Sequence, residues 1–200
     1  QFFGKNADKF IVLNVNRNQP RKDMHRTFAA FKLFHDKYPN TFLFINAQMN
    51  DVGGNLLEIA GHYDLEFDKD WACPSSNFNA NQGFPIQVVN QIYNASDLVI
   101  STMLGEGWGL SLSEAMACKK PVLFPDNTSV PEIIGEHEEF GYTCKSGETI
   151  NDYICLGAAD NNLLRPMTNV INMAARMCYI YEHREEAKAK AEKAYERIWT

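Results

Sequence analysis

The sequence predicts an α/β domain built on a doubly wound, mostly parallel sheet. Three observations carry this. Short apolar, β-branched runs alternate with amphipathic helical stretches along the chain. The strand-like runs are apolar at consecutive positions, as strands buried on both faces are. Two hundred residues with 45% hydrophobic and 12% aromatic content can build one real core, which excludes disorder as the main reading.

Phe10–Val15 (FIVLNV) reads as the first strand and runs into a polar, Pro-containing stretch, NRNQPRKD. Met24, Phe28, Phe31, His35 and Tyr38 then fall on one helical stripe, which Pro39-Asn40 ends. Residues 41–47 (TFLFINA) are a second buried strand, completing a βαβ unit. The signal weakens over 48–82: Asn55 caps a short helix over 56–60, a third strand lies near Trp71, and 77–83 (NFNANQG) is loop. Pro85 is expected as the first residue of a helix running to Tyr93. Residues 97–101 (DLVIS) are a strand, followed by a Gly-broken loop and a helix over 110–118. Residues 121–124 (PVLF) are another strand, Ile133-Ile134 a short apolar turn, and Tyr142–Cys144 the last strand. Residues 149–164 fit no single element. Met167, Val170, Ile171, Ala174, Cys178 and Tyr181 stripe a helix expected to begin at Pro166. Ala187, Ala191, Ala194, Tyr195 and Ile198 stripe a final, charged one. No repeat or low-complexity linker interrupts the series, so the fold expected is one Rossmann-like domain over residues 1–200.

Composition narrows the function. Lys+Arg 19 against Asp+Glu 25 gives a net charge of -6, with no basic excess for a nucleic-acid backbone. A small phosphorylated ligand needs only two or three placed cations. The five Cys (73, 118, 144, 155, 178) are scattered and form no C-x-x-C pair, which points to free thiols in a reducing, cytoplasmic setting. Cys118 and Cys178 sit among apolar helix positions and read as core thiols, and His35 reads as a packed, hydrogen-bonded core His. The five His show no metal-ligand spacing, and there is no apolar run of membrane length and no signal peptide. The first residue is Gln, so the chain reads as part of a longer protein. Asn94-Ala95-Ser96 and Asn127-Thr128-Ser129 match the glycosylation pattern, which means little without secretion.

In a doubly wound sheet, ligands bind beyond the carboxyl ends of the strands, where strand order reverses. With the order 3-2-1-4-5-6, that point lies between the first strand and the strand over 97–101, so the loops after Val15 and after Ser101 should face each other. The first loop carries Arg17, Arg21 and Lys22. Read as a solvated turn it says nothing; read as a site, Arg17 and Lys22 converge on phosphates, a planar fork and a point charge. It lacks G-x-G-x-x-G, which argues against a dinucleotide on the first helix. The second loop runs Gly105-Glu106-Gly107-Trp108-Gly109-Leu110-Ser111 into a helix that carries Glu114, with seven residues between the two Glu. Gly107 and Gly109 permit close backbone approach, and the helix start favours an anion. An isolated Glu at 114 would be an ordinary solvated helix residue; the Gly-Trp-Gly flank and the strand-end position argue for a site.

The run GEGWGLSLSEAMACKKPVLFPDNTSVPEII resembles the donor-site signature of retaining, GT-B-fold glycosyltransferases, the large family with mannosyltransferases, sucrose synthases and glycogen synthases. NVNRNQPRKD is similar to that family's Arg, four residues, Lys phosphate clamp. The resemblance covers nearly the whole chain and matches the C-terminal, donor-binding half; the acceptor half is not in this sequence. It implies that Arg17 and Lys22 hold a diphosphate and that Gly107, Trp108, Gly109, Leu110 and Ser111 line the phosphates or sugar. It also implies that Glu106 contacts the transferred sugar and Glu114 the ribose hydroxyls. The implied catalytic residues are Glu106, Arg17 and Lys22. The implied reaction moves a hexose from a nucleoside diphosphate sugar, GDP or UDP, to a carbohydrate, lipid or protein acceptor with retention. It needs no cofactor and no metal, since the cations neutralise the leaving group. The base pocket is expected within 71–84. One departure stands out: Lys119 replaces a frequent Gly after EAMAC and is expected in a left-handed helix cap. A sugar-nucleotide epimerase or phosphorylase of the same fold, or a non-catalytic nucleotide-binding module, are the alternatives.

Overall fold

The computed structural model describes residues 3–74 and 83–199. Six parallel strands form the main sheet: β1 (Phe10–Val15), β2 (Thr41–Asn46), β5 (Trp71–Ala72), β6 (Leu98–Ile100), β7 (Val122–Pro125) and β8 (Tyr142–Cys144). Their spatial order is β5-β2-β1-β6-β7-β8. This is the expected 3-2-1-4-5-6 arrangement, with the reversal between β1 and β6.

Alternation along β1 builds both halves of the core. Phe10 and Val12 face one layer, packed by α1 (Met24–Lys37), α2 (Leu56–Gly61) and α6 (Val170–Glu182). Ile11 and Leu13 face the other, packed by α3 (Ile86–Asn94), α4 (Leu110–Ala117) and α5 (Val130–Ile134). The final helix, α7 (Arg184–Ile198), buries Ala187, Ala191 and Ala194 and turns its charges to solvent. The stripe read on α1 is real: Phe28 and Phe31 are fully buried, and Phe28 meets Trp71 edge-on at 4.8 Å. His35 stacks on Phe31 and shares a 2.8 Å hydrogen bond with Thr41 Oγ1.

Two helix starts differ from expectation. Pro85 is the N-cap of α3, with an extended backbone, and the first helical residue is Ile86. Pro166 does not open a helix but pairs with Tyr153 in a small antiparallel hairpin of β9 (Tyr153–Cys155) and β10 (Leu164–Pro166). Helix α6 begins four residues later because the Asn169 side chain caps it, accepting from Asn172 N–H at 2.9 Å. Residues 149–164, unassigned from sequence, are therefore mostly this hairpin. A second hairpin, β3 (Asn50–Asp51) with β4 (Gly54–Asn55), was not foreseen. Asn55 caps α2 as expected, accepting from Leu57 N–H at 2.9 Å.

Lys119 does stand in the left-handed region, φ 54°. Lys120 N–H bonds Ala115 O and Lys119 N–H bonds Met116 O, each at 3.0 Å, which closes α4 with a Schellman motif. The cysteines are free, but they are not uniformly buried: Cys73 and Cys144 are enclosed, Cys118 and Cys178 lie at the core's edge, and Cys155 is exposed on β9.

Candidate functional site

The two loops at the reversal point meet because a buried polar chain ties them. Strand β1 carries Asn14 in an otherwise apolar run, and Asn16 follows it. Asn16 Nδ2 donates to Asn14 Oδ1 (2.6 Å) and Ser101 Oγ (3.2 Å), and Asn14 Nδ2 donates to Thr27 Oγ1 (3.0 Å). The Thr27 and Thr102 hydroxyls lie 2.6 Å apart, and Thr102 donates to the Asp23 carbonyl at 2.8 Å. Leu104 N–H then donates to the Arg21 carbonyl at 2.9 Å. The links among Asn14, Asn16, Thr27, Ser101 and Thr102 are buried, so a missing partner there would be costly. The loop after β1 is thus bolted to the loop after β6.

That bolt brings Lys22 and Arg21 onto Glu106. Lys22 Nζ bonds Glu106 Oε1, and Arg21 Nη1 reaches the same oxygen at 3.1 Å while also bonding the Gly105 carbonyl. The Lys22 and Glu106 side chains are only 12% and 16% exposed, so removing either leaves its partner poorly solvated. The backbone of Glu106 is clasped as well: its N–H donates to Thr128 Oγ1 (3.0 Å), and Ser129 Oγ donates to its carbonyl (3.3 Å).

Arg17 lies in the same cleft and forms a two-nitrogen pair with Asp51 of the β3–β4 hairpin, at 2.8 and 3.1 Å. Arg17 holds the Asp51 carboxyl below the ordinary carboxylate range. The hairpin is seated there by the fully buried Asn18, whose Nδ2 donates to Gly54 O at 2.8 Å. A side chain at Gly53 would strike the backbone of Gln19, 2.8 Å from its Cβ.

Helix α4 opens at the cleft on Gly109, in the left-handed region at φ 82°. Glu114, one turn in, accepts a 2.8 Å hydrogen bond from the Tyr93 hydroxyl. Burial, with Glu114 beside it, pushes the Tyr93 phenol far up, so it stays a donor. Around these groups lies a cleft of about 470 Å³. It is lined by Arg17, Arg21, Lys22, Glu106, Trp108, Gly109, Leu110, Ser111 and Glu114. Of the residues read from sequence, only Gly107 is not among its lining, though it is exposed in the same loop. The base pocket expected within 71–84 falls largely on 75–82, outside the described residues. Among the described residues, no three His, Cys, Asp or Glu side chains are grouped to hold a metal ion, and no helix is long and apolar enough to cross a membrane.

Sequence reasoning passed over Arg21 as a site residue, along with the Asn14–Asn16–Ser101–Thr102 chain. The available signal was polar residues at the carboxyl ends of buried strands.

Solved structures share this architecture. The C-terminal domain of LpcC, a group 1 family glycosyl transferase from Francisella tularensis, aligns over 96% of this chain and 85% of its own, at 18% identity and TM-score 0.68. Sucrose-phosphate synthase of Thermosynechococcus elongatus aligns over 96% and 41%, at 18% identity and TM-score 0.71. HepE of Anabaena, solved with UDP-glucose, aligns over 96% and 44%, at 19% identity and TM-score 0.70. The chain thus spans under half the length of the latter two. No curated protein sequence matches it. The Rossmann-like fold that carries this cleft is thus the fold of the C-terminal domain of LpcC, a glycosyl transferase group 1 family protein. The profile described as "Glycosyl transferases group 1" matches residues 1–169, and the chain belongs to that family.

Proposed function

We propose that this chain is the donor-binding half of a retaining glycosyltransferase that takes a hexose from a nucleoside diphosphate sugar. The observation that carries the reading is the meeting of Lys22, Arg21 and Glu106 at the reversal point of the sheet, at the mouth of α4. A diphosphate in this cleft faces Arg17, Arg21 and Lys22 and the first N–H groups of α4, which the helix leaves unbonded. Each charge-assisted bond supplies roughly 1.5–3 kcal/mol, and the helix start about 0.3–2 kcal/mol. Charge builds on the diphosphate as the sugar leaves, so donors already in place stabilise that state most. The complex of HepE with UDP-glucose supports a sugar nucleotide as the ligand class.

Glu106, held between two cations, is a carboxylate suited to accepting hydrogen bonds from sugar hydroxyls. Glu114, fixed by Tyr93, is suited to accepting from ribose hydroxyls deeper in the cleft. The acceptor binds on the N-terminal half, and no divalent metal is needed while the cations neutralise the diphosphate. A thermal-shift panel of nucleoside diphosphates and sugar nucleotides, run with EDTA, tests the reading, since a ligand of the folded state raises the midpoint. One base series should shift the midpoint well above the others. No shift by any nucleotide, or consumption of sugar nucleotide to an epimer without acceptor, overturns it.

A further inference from the structure

The β9–β10 hairpin stands apart from the main sheet and exposes apolar side chains, with Leu164 66% exposed. Alternation along β10 turns the neighbouring Arg165 inward, its side chain only 21% exposed. Asp160 takes two of its nitrogens, Nε at 2.5 Å and Nη2 at 2.9 Å. This pairing fixes the guanidinium in one orientation and strengthens its hold on its proton.

The third nitrogen, Nη1, faces the segment that carries Glu106. A Cβ at residue 105 would lie 3.1 Å from Arg165 Nη1 and 3.0 Å from Thr128 Cγ2. Residue 105 is Gly with φ 153°, so its bare Cα both permits that backbone and lets the guanidinium approach. The field of Glu106 reaches Arg165, and that of Arg21 reaches Asp160. Arg165 does not line the cleft; it stands behind the loop.

Under the function proposed above, on which this inference rests, Arg21 and Lys22 must serve two anions. In the structure both bond Glu106. Any nitrogen that turns to a phosphate loosens its grip on that carboxylate. Arg165 is anchored by Asp160 and has no such second duty.

We propose that Arg165 is a positioning residue for the transferred sugar, keeping the Gly105–Glu106 segment in place while Arg21 and Lys22 engage the diphosphate. Calorimetry with UDP, GDP, UDP-glucose and GDP-mannose tests this on the 200-residue chain and on R165M, R165K, E106Q and the E106Q/R165M double variant. For whichever base the wild type binds, R165M should weaken the sugar nucleotide about tenfold and leave the bare diphosphate within about twofold. R165K, charged but unable to grip Asp160 with two nitrogens, should lose nearly as much. In the double variant, Arg165→Met should add less than about twofold to the loss from Glu106→Gln, because both act through one carboxylate. A merely structural role would instead lower both affinities together or add fully to E106Q. Asp160→Asn, which frees the fork without removing the charge, carries the test should R165M fail to fold, and should show the same sugar-selective loss. Wild-type chain that binds none of the four overturns the proposed function and this proposal with it. Wild-type binding with unchanged sugar-nucleotide affinity in the Arg165 variants overturns the positioning role alone.

Discussion

Two carboxylates share one cleft, and their surroundings differ. Glu106 is gripped by Lys22 and Arg21 at the mouth of β1, while Glu114 is held by the Tyr93 hydroxyl. Glu114→Gln should therefore weaken nucleoside diphosphate and sugar nucleotide alike, by about 1–3 kcal/mol. Glu106→Gln should spare the diphosphate and weaken the sugar nucleotide, which calorimetry on both variants with both ligands checks. Equal loss for both ligands in Glu106→Gln would remove Glu106 from the sugar. Tyr93→Phe should follow Glu114→Gln at smaller size, about 0.5–1.5 kcal/mol, since it removes one neutral donor. His35 sets a pH dependence. Burial keeps its imidazole below the ordinary value of 6.5, with Asp70 offsetting part of the effect. The unfolded chain thus binds the proton first as pH falls, so the stability this ring contributes is full above about 6.5 and drains away below it. Melting midpoints of wild type should drop on acidification through that range more steeply than those of His35→Gln. At this scale the motif residues were legible, because Gly, Trp and Glu at a strand end have few structural reasons to be there. Arg21 was not: adjacent cations in a loop look alike until the fold brings Arg21 and Lys22 together onto Glu106.

Elements were legible where one periodicity ruled and blurred where capping did. The stripe of α1 needed only spacing, whereas the start of α6 turned on the Asn169 side chain, and Pro166 misled because a strand edge tolerates Pro as readily as a helix start does. The two hairpins escaped because strands of two or three residues leave too few positions to show alternation. The cap of α4 was legible from a single unexpected residue. Lys119 occupies a left-handed position that Gly takes without strain, and its ion pair with Glu192 lies on the surface, with both side chains about half exposed. Lys119→Gly should raise stability by about 0.5–1 kcal/mol, the relieved strain exceeding the added freedom of the unfolded chain. For a domain of this size that is about 1–4 °C in melting midpoint. A fall in midpoint would mean that the contacts of Lys119 with Glu192 and over the Tyr195 ring outweigh the strain.

At the scale of the molecule, strand order does the assembling. The site exists because β1 and β6 lie side by side while their helices leave in opposite directions, so two loops distant in sequence meet at one edge. That order was legible from a general rule, yet the partner of Arg17 was not, since Asp51 lies on a hairpin too short to show in the sequence. The arrangement turns three cations and the start of α4 toward one cleft. The chain should therefore bind one nucleoside diphosphate series in EDTA as tightly as in Mg²⁺, because Arg17, Arg21 and Lys22 already balance the phosphates. Under the proposed function it should nevertheless transfer no sugar by itself, since that reading places the acceptor on the other half of the enzyme. Isothermal titration with and without Mg²⁺ reads the first expectation, and a product assay with the panel's best sugar nucleotide and simple glycoside acceptors reads the second. Binding that appears only with Mg²⁺ would mean that the cation cluster is spent on Glu106 and Asp51 and cannot carry the diphosphate. Robust transfer by the 200 residues alone would mean that this half holds its own acceptor groove, and the division of labour between two halves would have to be abandoned.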